Sequence, residues 1–415
     1  MTPQPAVPRG RIALLLAGLA MFGPFTIDTI FPAFGAIGRD YAAGKVAVQQ
    51  TISVYLVAYA ATCLLHGPLS DAFGRRRVIL VGVSVFLLAS IGCALATDLP
   101  MLLGFRALQG VSAGAGLVVG RAVIRDLYEG QDAQRLMSLV MLLFGVAPGI
   151  APIIGGWIMA WAEWHAIFWF LAAFAGLLFL ATALGLPETH PPQARTPLRM
   201  GLLWRNSAAM VRDGVFMRLA VAGAFNFGAL FLYIASAPEI VQRFLGLNEQ
   251  QYGWLFVPVI VGMMTGSFLA GRLSGRVAPT RLANVGFGFC VAGMALNLAY
   301  SVLGEPMLPW TILPLPLLSF GVALAFPILT LVLLDMYPQQ RGAASSMQAF
   351  VGLVSNAVIS GLLSPLLSGT PLRLALGAAA FTATAWVLWR WHVAHATRLP
   401  ARTEPPDALQ AADRL

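Results

Sequence analysis

An aspartate set deep in an apolar stretch is the residue of this chain best placed to do chemistry. Asp28 sits in Phe25-Thr26-Ile27-Asp28-Thr29-Ile30-Phe31-Pro32. No other carboxyl falls well inside such a stretch; Glu239 and Asp335 lie at the ends of theirs. A charge at membrane depth costs from about 3 to well over 10 kcal/mol, so a group like this faces a cavity and a partner. Loss of water favours the protonated form of a carboxyl, which suits it to carry a proton near neutral pH. The plainer alternative is an Asp that hydrogen-bonds a neighbouring helix or sits near the interface.

Arg106 is the natural partner. Counting about 1.5 Å per helical residue, Asp28 lies roughly 24 Å from one membrane face and Arg106 roughly 9 Å from the other. In a core about 30 Å thick the two reach similar depth. An ion pair there would break when Asp28 takes up a proton. Otherwise Arg106 snorkels to the nearer surface.

Two other segments have shapes that chemistry could use. Gly67-Pro68-Leu69-Ser70-Asp71-Ala72-Phe73-Gly74-Arg75-Arg76-Arg77 reads as a turn between helices. In it Gly67 permits close helix approach, Gly74 permits the turn, and Asp71 can complement a helix N-terminus. Gly145-Val146-Ala147-Pro148-Gly149-Ile150-Ala151-Pro152-Ile153-Ile154-Gly155-Gly156 reads as a kinked helix whose glycines admit a close neighbour. Phe22, Phe25, Tyr55, Tyr59, Phe225, Asn226, Phe227 and Tyr233 are candidates to line a cavity, each also open to plain packing or lipid contact.

Long apolar helices carry these groups. Apolar residues make up 58% of the chain and charged residues only 10%, against about 25% charged in ordinary soluble domains. Such a chain cannot clothe a water-facing surface. Stretches of about 20 apolar residues, enough to cross a bilayer, lie near 12–34, 48–69, 77–97, 101–123, 136–161 and 165–186. Six more lie near 216–238, 252–273, 281–301, 308–334, 342–367 and 371–393. The expected fold is all-α and membrane-integral, twelve spans as two pseudo-symmetric six-helix bundles. The expected units are an N-terminal bundle 1–186, a linker 187–214, a C-terminal bundle 215–393 and a tail 394–415. The run after Arg9 and Arg11 is longer than a signal-peptide core and reads as the first span.

Twenty-one of the 26 basic residues fall in segments on one side of these spans, and four (Arg39, Lys45, Arg243 and Arg373) on the other. That asymmetry predicts both termini and the linker in the cytoplasm. It also explains the net charge of +9 as membrane sorting, so no nucleic-acid partner is expected. Cys63, Cys93 and Cys290 have unrelated spacings, and His392 and His395 lack further ligands nearby. Neither a metal nor a cofactor is expected. Gly114, Gly116 and Gly120 resemble a nucleotide fingerprint only superficially; inside a span they read as helix packing.

The halves read as a repeat. Gly67-Pro68-Leu69-Ser70 parallels Gly271-Arg272-Leu273-Ser274, Asp126 parallels Asp335, and Arg135 parallels Arg341. Repeated halves around a midplane site are the build of a rocking transporter.

The turn at Gly67–Arg77 resembles the loop motif G-x-L-[AS]-D-x-x-G-R-[RK] of the major facilitator superfamily, with Ala72 where a basic residue is frequent. The resemblance implies that Gly67, Asp71, Gly74 and Arg75, with Asp126, form a conformational latch. The segment Gly145, Pro148, Gly149, Pro152, Gly155, Gly156 resembles that superfamily's antiporter motif, with Ala151 for a glycine. Arg106-Ala107-Leu108-Gln109-Gly110, Arg121 to Asp126, Asp28 with Pro32-Ala33, and Tyr233 to Pro238 are similar to drug:proton antiporters of the Bcr/CflA type. Cys63, His66 and Ala237 depart from that pattern.

The expectation is therefore a secondary active exporter of small, largely apolar toxic molecules in exchange for protons. Its partners would be the small-molecule substrate, protons and the lipid bilayer. The chain is expected to act as a monomer in a bacterial inner membrane. A proton-coupled transporter of a metabolite such as an amino acid or sugar is the alternative. An enzyme acting on lipid-linked substrates would need clustered His, Asp or Glu at the membrane boundary, and a primary pump would need a phosphate-binding G-x-x-x-x-G-K-[ST] loop; the sequence has neither.

Overall fold

Twelve helical crossings account for almost all of the residues described, 9–128 and 130–396 of the computed structural model. The first half holds span 1 (Gly10–Asp40), span 2 (Lys45–Phe73), span 3 (Arg75–Ala94), span 4 (Leu99–Leu127), span 5 (Gly130–Trp161) and span 6 (His165–Gly185). The second half holds span 7 (Gly214–Ala235), span 8 (Glu249–Leu273), span 9 (Pro279–Leu303), span 10 (Pro314–Asp335), span 11 (Arg341–Leu367) and span 12 (Pro371–His395). Eleven are long and apolar enough to cross a membrane, and span 5 carries a shorter apolar stretch, Gly145–Trp161.

The span ends follow local chemistry. Asp98 accepts from the Met101 amide at 2.7 Å and starts span 4; Asp213 accepts from the Val215 amide at 3.0 Å and starts span 7. Asn248 and Gln251 form a capping box at the start of span 8. Gly74 (φ +98°) ends span 2, and Gly275 (φ +77°) lies just past the end of span 8.

Spans 1–6 pack on one another, as do spans 7–12. The halves meet along a seam of span 2 on span 11 and span 5 on span 8. The linker and the two ends of the span series share one end of the molecule, here called the linker end; the other is the distal end.

Span 1 is not continuous. It breaks at Met21 and again after Asp28, where a short 3-10 turn at Phe31–Ala33 precedes Phe34–Asp40. Pro24 and Pro32 lack the amide that would bond the carbonyl four residues back, at Ala20 and Asp28. Span 7 gives way after Ala235 to a π segment, Glu239–Phe244, just past Pro238. Span 11 likewise contains a π segment, Ile359–Leu363, before Pro365.

The linker is not simply a polar strand. Residues Met200–Arg212 form an amphipathic helix whose Ser207 and Met210 are buried against the second half. Arg398, Arg402 and Arg414 of the expected tail lie outside the described residues, as does the side chain of Arg135.

Candidate functional site

Asp28 ends the helical segment Phe22–Asp28 and is 4% exposed. The hydroxyls of Thr26 and Thr29 donate back to the carbonyls of Phe22 and Phe25, each at 2.6 Å, which bends the segment. The break thus places one carboxyl beside backbone groups freed from the helical ladder, the arrangement by which discontinuous membrane helices build ion and substrate sites. Among the described residues its carboxyl makes no ion pair or hydrogen bond. The corresponding position of span 7, four residues before Pro238, is Ile234, so the acid belongs to one half only.

Arg106 does not pair with Asp28, and it does not reach the surface. It is fully buried, with Nε donating to the Thr51 carbonyl at 2.9 Å and Nη1 to Gln109 Oε1 at 2.8 Å. Its guanidinium lies 4.9 Å from the centre of the Tyr55 ring. Gln109 in turn donates to Ser90 at 2.8 Å, so one polar cluster ties spans 2, 3 and 4. In the state seen here Arg106 therefore makes neither the pair nor the surface contact that depth counting suggested, since depth says nothing of which way a helix is turned.

The candidate cavity residues separate. Phe22 and Phe25 pack inside the first half on Phe86, Phe170 and Phe174. Phe225 packs on Phe381, Asn226 accepts from the Cys290 thiol at 3.8 Å, and Tyr233 accepts from the Asn297 amide; all three contacts lie within the second half. Tyr55 lies under Arg106. Tyr59, Phe225 and Phe227 of the eight stay partly open, Tyr59 beside Tyr55 and Phe227 beside Phe326.

The seam carries a polar ladder absent from the sequence-based expectations. Lys45, the single lysine of the chain, donates to Ser368 at 2.6 Å and pairs with Glu239 at 3.3 Å. Gln49 donates to Ser364 at 2.6 Å and to the Ala235 carbonyl at 3.0 Å. Gln50 and Ser53 donate to the carbonyls of Gly361, at 3.0 Å, and Ala357, at 2.9 Å. Pro365 has no amide to offer Gly361, so that carbonyl turns to span 2. A cavity of about 410 Å³ opens beside the ladder at the distal end, lined from both halves by Arg39, Lys45, Glu239 and Arg243 among others.

The span 5 glycines differ among themselves. A Cβ on Gly149 would strike Ile260 of span 8, and one on Gly156 would strike the backbone of Glu249. One on Gly155 would strike the Thr29 carbonyl, next to Asp28. Gly145 has nothing within 4 Å. Pro148 and Pro152 lie inside the helix, and Pro152 is buried. Gly114 and Gly116 of span 4 are packing glycines, pressed on His66 and on the Leu19 carbonyl.

At the linker end Arg75 is the hub. Its guanidinium reaches Asp71, Ser70 at 2.6 Å and Asp126 at 3.1 Å. The N-terminus of span 3 is capped by Glu188, which accepts from the Arg75 amide at 2.9 Å, and not by Asp71. Asp71 is held sideways by Arg75, and its carbonyl accepts from Thr196 at 3.2 Å. Thr189 adds a bond to Asp126 at 2.9 Å. Gly74 does make the turn, and a Cβ there would meet Glu188 and Arg195. Gly67 has open space around it and makes no close approach here.

Two helical bundles joined across a seam, with a broken first helix carrying a buried acid, define a membrane transporter. The chain belongs to the Major Facilitator Superfamily, matching it over residues 13–360 and again over 219–408. It is 32% identical to an uncharacterized transporter, YdgK, of Bacillus subtilis, covering 85% of this chain and 88% of that protein. It is 30% identical to a bicyclomycin resistance protein homolog of Haemophilus influenzae (88% and 92% covered) and to multidrug resistance protein D of Escherichia coli (85% and 88%). Its fold is shared with the D-xylose-proton symporter, with TM-score 0.70 and 16% identity over 91% of this chain and 97% of that one.

Proposed function

We infer that this protein exports small, largely apolar toxic molecules in exchange for protons. The naming of its relatives for bicyclomycin, multidrug and chloramphenicol resistance supports the cargo class. The observation that carries the coupling is Asp28, a lone acid buried at the break of span 1.

An ionised carboxyl at that burial with no cation in contact is costly, whereas a protonated one is not. The arrangement seen here, with the distal seam closed, suits protonated Asp28. Loss of the proton favours a state in which the carboxylate gains water or reaches the free Nη2 of Arg106, which has no hydrogen-bond partner among the described residues. A proton shifts the equilibrium only through such differential stability. Gly149 and Gly156 let spans 5 and 8 close, and the Arg75 cluster with Asp71, Asp126 and Gly74 latches one state at the linker end. Tyr59, Phe225 and Phe227, partly open, are the aromatic residues best placed to meet cargo.

The units are a bundle 1–186, a linker 187–214, a bundle 215–393 and a tail 394–415. The chain works as a monomer without cofactor, in the inner membrane of a bacterium, with both termini cytoplasmic. The test is cargo-induced proton release: adding an apolar antibiotic to vesicles that hold a pH gradient should dissipate it in proportion to the amount of protein. A gradient unmoved across a chemically varied panel would contradict the reading.

A further inference from the structure

The linker helix Met200–Arg212 presents three faces. Ser207 and Met210 are buried on the second half. Beside them Met200, Trp204 and Val211 form an apolar stripe at helical spacing, exposed to 36%, 59% and 50%. Beyond that stripe, Arg205 and Arg212 stand seven residues apart on one face, and neither has an ion pair among the described residues. No Asp or Glu occurs from Thr189 to Arg212. Arg212 is followed at once by the Asp213 cap and span 7, so the helix cannot leave the level at which that span enters the membrane. Neighbouring spans carry the same kind of group at this end: Arg218 stacks on Trp391 at 4.0 Å and Arg272 on Phe268 at 4.6 Å.

We propose that this helix lies in the headgroup layer at the linker end and binds anionic phospholipid, with Trp204, Met200 and Val211 in the acyl boundary and Arg205 and Arg212 on headgroup phosphates. An apolar stripe flanked by arginines, on a helix without a single acid, is the pattern of an interfacial helix. Tryptophan favours that depth because one end of the ring is apolar and the other wet. Basic residues at such a surface gain affinity for an anionic leaflet, each by about fivefold.

The experiment uses the full chain in nanodiscs of phosphatidylcholine with increasing phosphatidylglycerol. The Trp204 signal is taken as the difference between the protein and its Trp204→Phe variant. Brominated acyl chains should quench that signal while aqueous iodide does not. Brominated phosphatidylglycerol should quench it at lower mole fraction than brominated phosphatidylcholine. Arg205→Gln with Arg212→Gln should reduce that preference by up to about thirtyfold, with transport in sealed liposomes of pure phosphatidylcholine unchanged. Quenching by iodide alone would overturn the proposal, as would a lipid preference unchanged in the double variant. Shielding from both quenchers that rises with protein density would overturn it too, because a second copy would then cover the stripe.

Discussion

Arg106 donates to Gln109 at 2.8 Å, one turn along its own helix, and through it to Ser90 of span 3. This guanidinium, with Thr51 and Tyr55 as its other contacts, is a buried cross-link of three helices in the state seen here. Arg106→Ala leaves the Thr51 carbonyl and Gln109 amide oxygen short of a donor, at about 1–3 kcal/mol for each buried unsatisfied group. It should therefore lower the melting temperature in detergent by several degrees as well as impair export. Asp28→Asn should impair export with the melting temperature held. An unchanged melting temperature for Arg106→Ala would remove the cross-link role.

Lys45 is the one charged rung of span 2 on the distal seam. Its pair with Glu239 is partly exposed and worth about 1 kcal/mol or less. Lys45→Met should shift the population with an open distal end by up to about fivefold. Spin labels placed at Val46 and Thr370, on opposite halves, would register this as growth of the long-distance population. A distribution identical to that of the parent protein would show that the ladder does not hold the seam.

The span 5 glycines give a contrast within one motif. Gly156→Ala puts a methyl into the Glu249 backbone, and overpacking of this kind costs about 1–3 kcal/mol. Transport should fall roughly tenfold while the protein still inserts in the membrane. Gly145→Ala, in open space, should transport normally. Equal damage from both would mean that the motif works through helix flexibility and not through contact with span 8.

Glu188 fastens the linker to the N-terminus of span 3, beside the Arg75 cluster. Its removal leaves the first amides of span 3 uncapped, at about 1 kcal/mol, and frees the linker backbone. Trypsin should then cut after Arg195 or Arg199 several times faster in Glu188→Ala than in the parent protein. Cleavage at an unchanged rate would mean that the linker is held by its other contacts, such as Thr196 on Asp71 and Thr189 on Asp126.

Much of the fold was legible because lipid leaves few choices: long apolar stretches must be helices, and all their ends fall within six residues of the expected positions. Asp28 and Pro32, four residues apart, carry the break of span 1 in plain view. Lys45, Gln49 and Ser53 stand at i, i+4 and i+8, a polar stripe in an apolar span that could have been read as an interface. The partners of Arg106 could not be read. Spans apolar on most sides give little sign of how they are turned, and Thr51 and Ser90 come from other helices. The same ambiguity left cavity and packing both open for Phe22, Phe25 and Asn226, which pack within their own halves in the state seen here. Glu188 was hidden because it sits in a proline-rich stretch whose path is set by what it folds back upon.

Proton coupling through Asp28 is tested most directly by cargo accumulation in inverted membrane vesicles under an imposed proton gradient, comparing the parent protein with Asp28→Asn. Asparagine stands permanently for the neutral carboxyl. The variant should bind cargo and support downhill exchange of labelled for unlabelled cargo, yet fail to accumulate it against a gradient. Accumulation at the parent level would contradict the role of Asp28, since the sequence places no second acid at that depth to carry the proton.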